Sequence, residues 1–168
     1  DVPLDNLYAA PDFVKDVRNR HDGVELVVVS PDVGGVARAR YVARRLECDL
    51  AIIDKRRERA GVSEVMNIIG DVEGKRCVLI DDIVDSAGTL CNAAKALLDA
   101  GAKSASAYVT HGVLSGDAVA RVSSSRLEKL VITDSIPATQ AVRVSNTVEQ
   151  LTIAPLLAEA IRRIAEES

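Results

Sequence analysis

Short apolar runs of strand length alternate along the chain with stretches whose apolar residues recur at helical spacing. Residues 12–21 place Phe13, Val14 and Val17 on one helical face. His21 falls at the end of that helix, where a cap is expected and a cation is favoured. Asp22-Gly23 reads as a turn, and 24–30 as an apolar, β-branched strand. A loop at 31–35 leads into a helical pattern over Val36–Leu46, and 50–54 is a second strand. The charged stretch 55–64 predicts an exposed loop. Residues 65–70 and 76–81 read as strands joined by Asp71-Val72-Glu73-Gly74-Lys75, a hairpin with a glycine turn. A loop at 82–88 precedes a helix over 89–100, with Gly101 as its C-cap. The rest predicts strands at 104–110, 129–134 and 148–153, and a short helix beginning at Ser115-Gly116. A last helix over 156–166 has Leu157, Ile161 and Ile164 on one side. That order argues an α/β fold: a mostly parallel sheet flanked by helices.

Composition narrows the picture. A length of 168 residues fits a single domain, and the 48% hydrophobic content supports a real core. Aromatics are only 2%, so Val, Ile, Leu and Ala fill the interior, as in a parallel sheet covered on both faces. The net charge is -4, with none of the clustered Lys and Arg that a nucleic-acid footprint needs. The apolar runs, such as 26–29 and 51–53, have strand length and predict no membrane span. Cys48, Cys77 and Cys91 are odd in number and lack Cys-x-x-Cys spacing, which supports neither a disulfide framework nor a zinc site. Cys77 and Cys91 lie in apolar segments and read as core thiols, and a reducing cytoplasm is expected. With no opening Met and no signal peptide, Asp1-Val2-Pro3-Leu4 reads like the middle of a longer or processed chain.

In open α/β sheets, ligands bind at the C-terminal ends of the strands, and three loops here have that position. The most specific is Val78-Leu79-Ile80-Asp81-Asp82-Ile83-Val84-Asp85-Ser86-Ala87-Gly88-Thr89-Leu90. An apolar strand ends in two carboxylates, a third follows, and a turn of small residues enters a helix. Ser86, Gly88 and Thr89 offer hydroxyls and free amides at a helix N-terminus, which suits a phosphate. Asp81 and Asp82 are acceptors suited to ribose hydroxyls or a hydrated Mg²⁺. A lone Asp-Ser-x-Gly-Thr would read as a capped turn; the preceding strand and the Asp pair argue for more. The second loop is Ser30-Pro31-Asp32-Val33-Gly34-Gly35, whose glycines let amides approach a pyrophosphate and whose Asp32 can reach a metal. The third, Asp54-Lys55-Arg56-Arg57-Glu58-Arg59, would pass for a solvated charge run on its own.

Together these segments resemble the ribose-phosphate pyrophosphokinases, and the first also resembles the sugar-phosphate loop of the type I phosphoribosyltransferase fold. The likeness continues through Thr110-His111-Gly112-Val113-Leu114-Ser115-Gly116, Thr133-Asp134-Ser135-Ile136-Pro137 and the segment 157–163, and covers essentially the whole chain. It implies a phosphoribosyltransferase-like domain with a β-hairpin, matching the C-terminal half of a two-domain enzyme. By this resemblance Asp81, Asp82, Asp85, Ser86, Ala87, Gly88 and Thr89 form the ribose 5-phosphate loop. Asp32, Val33, Gly34 and Gly35 form the pyrophosphate loop, and Asp32 and Asp81 are the metal ligands for Mg²⁺. Lys55 and Arg57 match a catalytic Lys-x-Arg pair, on a loop that in the family is mobile and closes over ATP. Two departures stand out: Ser86 replaces the family's usual Thr, keeping the hydroxyl, and Ala87 replaces a frequent Gly, adding a methyl in a tight loop. His111 could be taken for a base, but its expected role is structural.

The implied reaction is pyrophosphoryl transfer from Mg-ATP to the anomeric hydroxyl of ribose 5-phosphate. Lys55 and Arg57 would bring positive charge to the transferred group. The resemblance also implies a homo-oligomer, hexameric in the full-length family, while charge and apolar-run length predict no nucleic-acid or membrane partner. Two alternatives stay open: a phosphoribosyltransferase using the same sugar loop, and a non-catalytic relative that regulates the synthetase. The chain is expected to bind sugar phosphate but to turn over poorly by itself.

Overall fold

The computed structural model describes residues 4–21, 23–56 and 65–166. Its elements run α1 (Ala10–Arg20), β1 (Leu26–Ser30), α2 (Val36–Leu46), β2 (Asp49–Arg56), β3 (Val65–Ile69), β4 (Arg76–Val84), α3 (Gly88–Asp99), β5 (Ser104–Gly112), α4 (Ala118–Ser124), β6 (Lys129–Thr133), α5 (Gln140–Arg143), β7 (Val148–Leu151) and α6 (Ala154–Ala165). The seven strands form one sheet in the order β3-β2-β1-β4-β5-β6-β7. All neighbours pair in parallel except β3, which is antiparallel to β2. The α/β class expected from the sequence is the fold observed.

Two apolar layers sandwich the sheet, because successive strand residues point to opposite faces. Val27 and Val29 of β1 and Cys77 and Leu79 of β4 join one layer with Leu90, Ala94 and Leu97 of α3 and Val122 of α4. Val28, Val78 and Ile80 point the other way, to Phe13 and Val17 of α1 and Ala39 and Val42 of α2. Cys77 and Cys91 are buried thiols, as expected from their apolar surroundings. Tyr108 of β5 meets Phe13 edge to face at 5.5 Å, and its hydroxyl donates to Asp16 Oδ2 at 2.8 Å. This bond ties α1 to the middle of the sheet.

The hairpin expected between 65–70 and 76–81 is corrected. β3 pairs with β2, with Asp54 opposite Asn67 and Lys55 opposite Met66, while β4 lies beside β1. Physical need explains the swap. Cys77, Val78, Leu79 and Ile80 are all buried and require a central place with both faces covered, whereas Asn67 and Ile69 are exposed and suit an edge. Gly70 makes the departure from β3 possible: its φ is +115°, and a Cβ there would lie 3.0 Å from the Ala51 Cα. The loop expected from residue 55 also begins later, since β2 continues through Arg56. The loop expected at 82–88 is shorter too, because β4 runs on to Val84. The short α5 was not foreseen; Thr139 caps it by accepting from the Val142 amide.

His21 occupies the C-cap of α1, its amide bonded to Val17 O. A cation is not favoured there. Burial lowers the imidazole pKa, nearby Arg76 adds to the effect, and Nδ1 is buried without a hydrogen-bond partner. The apolar side of α6 was read correctly as a stripe, but Leu157, Ile161 and Ile164 are exposed.

Candidate ribose-phosphate and pyrophosphate site

From β1 the chain passes through α2 to β2 on one side, whereas β4, α3 and β5 build outward on the other. The strand order therefore reverses between β1 and β4. In open α/β sheets such a reversal is where a ligand crevice lies, beyond the carboxyl ends of the strands. The loop after β1 carries Asp32, Val33, Gly34 and Gly35, and the end of β4 carries Asp81 and Asp82. Two of the three predicted loops thus meet at one place.

The first loop is held from within. Ser30, fully buried at the end of β1, donates its hydroxyl to Asp32 O at 2.6 Å. Asp32 Oδ1 accepts from the Gly35 amide at 2.8 Å, leaving Oδ2 without a partner among the described residues. Gly35 is required by space. A Cβ there would lie 2.9 Å from Ser30 Oγ and 3.3 Å from Arg38 Nη1. Val33 and Gly34 are exposed.

In the second loop, β4 carries Asp81 and Asp82 past the end of β1. Asp81 Oδ1 accepts the Asp82 amide at 2.9 Å. Burial pushes the Asp81 carboxyl up to about 6, reinforced by the neighbouring Asp82 carboxylate and opposed by the Asp82 amide and Arg38. Asp85 and Ser86 are exposed, and Ser86 O accepts from Arg121 Nη1 of α4 at 2.6 Å. Ala87 takes φ +62°, the left-handed region, while its methyl packs into the core at 4% exposure. The departure from glycine is therefore accommodated: backbone strain of about 1 kcal/mol is offset by burial of the methyl. Ala87 is the N-cap of α3, with no side-chain cap, so the first-turn amides of Gly88 and Thr89 lack both an intrahelical and a capping acceptor.

Arg38 joins the two loops. Its Nη1 lies 3.1 Å from Asp81 Oδ1 and its Nη2 2.6 Å from Asp82 Oδ2. Sequence reasoning missed it, and also missed Arg121. The available signal was an arginine three residues after Gly35, in the first turn of α2.

Lys55 lies in β2, next to β1 in the sheet and half-buried. Arg57 lies outside the described residues. His111 is exposed, with its Nδ1 2.9 Å from Ser135 Oγ. Among the described residues no group of three or more His, Cys, Asp or Glu side chains could hold a metal. Asp32 and Asp81 are hard oxygen donors. Donors of that type are the kind Mg²⁺ takes, and too few protein groups stand here to cage a cation by themselves.

The model of the phosphoribosyl synthetase-associated domain matches residues 57–168, two thirds of the chain. The chain belongs to this family. It is 68% identical over its whole length to a ribose-phosphate pyrophosphokinase of Granulibacter bethesdensis and 61% identical over 99% of its length to one of Agrobacterium fabrum. It covers 54% of each, so the chain spans about half the length of these curated relatives. The crystal structure of phosphoribosylpyrophosphate synthetase from Mycobacterium smegmatis superposes with a TM-score of 0.89 at 35% identity, over 100% of this chain and 54% of that one. A hypoxanthine phosphoribosyltransferase from Staphylococcus aureus matches at a TM-score of 0.52 and 13% identity, over 86% of this chain and 70% of that one. That likeness shows the fold alone. No helix among the described residues is long and apolar enough to cross a membrane.

Proposed function

We propose that this domain binds ribose 5-phosphate and the pyrophosphoryl group in a synthetase that makes phosphoribosyl pyrophosphate from Mg-ATP. One observation carries the reading: two acceptor carboxylates and an uncapped helix N-terminus follow β4, and Arg38, just past the Gly-Gly loop of the neighbouring β1, reaches both carboxylates. The amides of Gly88 and Thr89, with the Ser86 hydroxyl, bind the 5-phosphate. Asp81 and Asp82 accept the ring hydroxyls and orient the sugar. The Val33–Gly35 backbone cradles the pyrophosphate.

In the reaction the anomeric oxygen forms a bond to the β-phosphorus of ATP. The bond from that phosphorus to the α,β-bridging oxygen breaks, AMP leaves with the oxygen, and the hydroxyl proton is lost. Asp32 and Asp81 would hold Mg²⁺, which when bound neutralises phosphate charge. Lys55 and Arg57 bring further positive charge to the transferred group, a compact ammonium and a planar fork respectively.

The test is phosphorus NMR of the chain with Mg²⁺, ATP and ribose 5-phosphate. Saturable broadening of the sugar-phosphate resonance, lost in Asp82→Asn, is expected, with little AMP formed by this half-length chain. Rapid formation of AMP and a pyrophosphoryl sugar would show that the domain suffices by itself. No saturable binding, or turnover of phosphoribosyl pyrophosphate with a nucleobase instead, would overturn the proposal.

A further inference from the structure

Arg38 belongs to neither of the motifs it connects. It leaves the first turn of α2, lies over the Gly35 backbone and crosses the crevice, and its side chain remains 33% exposed. One fork reaches two consecutive carboxylates through separate nitrogens, at 3.1 Å and 2.6 Å. Side chains of neighbouring residues on a strand diverge, and two like charges repel. A planar guanidinium counters both tendencies, which a point charge cannot do. The bonding also leaves acceptors free. Asp81 Oδ1 takes Arg38 and the Asp82 amide, and Asp82 Oδ2 takes Arg38. Neither bond to Arg38 uses Asp81 Oδ2 or Asp82 Oδ1, so the pair keeps acceptor capacity for a hydroxyl donor.

We infer that Arg38 is a positioning residue that fixes the Asp81 and Asp82 carboxylates as a paired acceptor for the vicinal hydroxyls of a sugar phosphate, and so sets a preference for ribose over deoxyribose. The inference rests on the proposed function. Glycine at position 35 acquires a second purpose in this arrangement: it keeps clear the path by which the fork reaches across. The 2-hydroxyl matters because a ring lacking it leaves one oriented acceptor unpaired.

Calorimetric titration of the chain in Mg²⁺ with ribose 5-phosphate and with 2-deoxyribose 5-phosphate tests this. Arg38→Met is expected to weaken ribose 5-phosphate binding roughly tenfold and the deoxy sugar by less than about threefold, collapsing the preference between them. Arg38→Lys, which keeps charge and length, recovers less than half of that loss on a logarithmic scale because it serves one carboxylate at a time. It also provides the comparison if Arg38→Met fails to fold, as thermal unfolding would reveal. Equal weakening for both sugars in the folded variants would indicate loop support only and overturn the inference, as would unchanged affinity. If the unsubstituted chain binds neither sugar, this inference and the proposed function fall together. If it binds ribose 5-phosphate and the preference survives without Arg38, only this inference falls.

Discussion

Gly35→Ala probes the packing that brings the two loops together. Its φ is -82°, so alanine is conformationally permitted and would restrict the unfolded chain, a gain of about 0.4–1 kcal/mol. The opposing cost is steric. The new methyl would sit 2.9 Å from Ser30 Oγ, on a residue with no exposure whose hydroxyl is already committed to Asp32 O at 2.6 Å. Rotating the hydroxyl away leaves buried polar groups unpaired, at about 1–3 kcal/mol. Shifting the backbone instead loosens the bond from the Gly35 amide to Asp32. The approach to Arg38 at 3.3 Å involves the end of a long side chain and yields more easily. The net expectation is a loss of about 1–2 kcal/mol, a fall in Tm of about 2–8 °C for a chain of this length. Urea unfolding of Gly35→Ala, Ser30→Ala and the double variant is the assay. Ser30→Ala alone costs about 1 kcal/mol for its hydrogen bond. In the double variant the hydroxyl that the methyl would strike is gone, so the two losses should be non-additive by about 1 kcal/mol. Strict additivity, or a Gly35→Ala loss below about 0.5 kcal/mol, would refute the steric reasoning.

Three further outcomes are expected. Gly112→Ala places a Cβ 2.6 Å from Ile132 Cδ1 and 2.9 Å from its Cγ2, between adjacent strands. It should cost about 1–3 kcal/mol in chemical denaturation, and a stabilised variant would contradict the packing. His21 carries a pKa below its ordinary 6.5, so the unfolded chain binds the extra proton first as pH falls. The sign is thus a loss of stability as pH drops below about 6.5 towards the folded value, and His21→Gln should flatten that limb of a Tm-versus-pH curve. Tyr108→Phe removes the bond to Asp16 and should cost about 1 kcal/mol. Burial and the Asp16 carboxylate raise the Tyr108 phenol pKa, so a spectrophotometric titration should contain a step above the ordinary tyrosine range that this variant lacks.

Local information sufficed wherever the physics is local. Helix α2 occupies the residues its apolar spacing indicates, and Cys77–Ile80 declares a buried strand because both of its faces must be covered. The loop after β4 follows the same logic, since its carboxylates, small residues and helix start are contiguous in the chain. Tertiary structure decided what depends on partners. β3 and β4 are adjacent in sequence, yet β4 seeks the two-sided cover beside β1 and leaves β3 to an edge on β2. Lys55 and its polar neighbours join a strand despite their side chains, because β3 supplies the backbone hydrogen bonds. His21 exchanges a favourable helix end for burial near Arg76. The join between the loops could not be read from either motif. Arg38 stands 43 residues from Asp81 and 44 from Asp82, and only the parallel pairing of β1 with β4 brings its charge within reach of theirs.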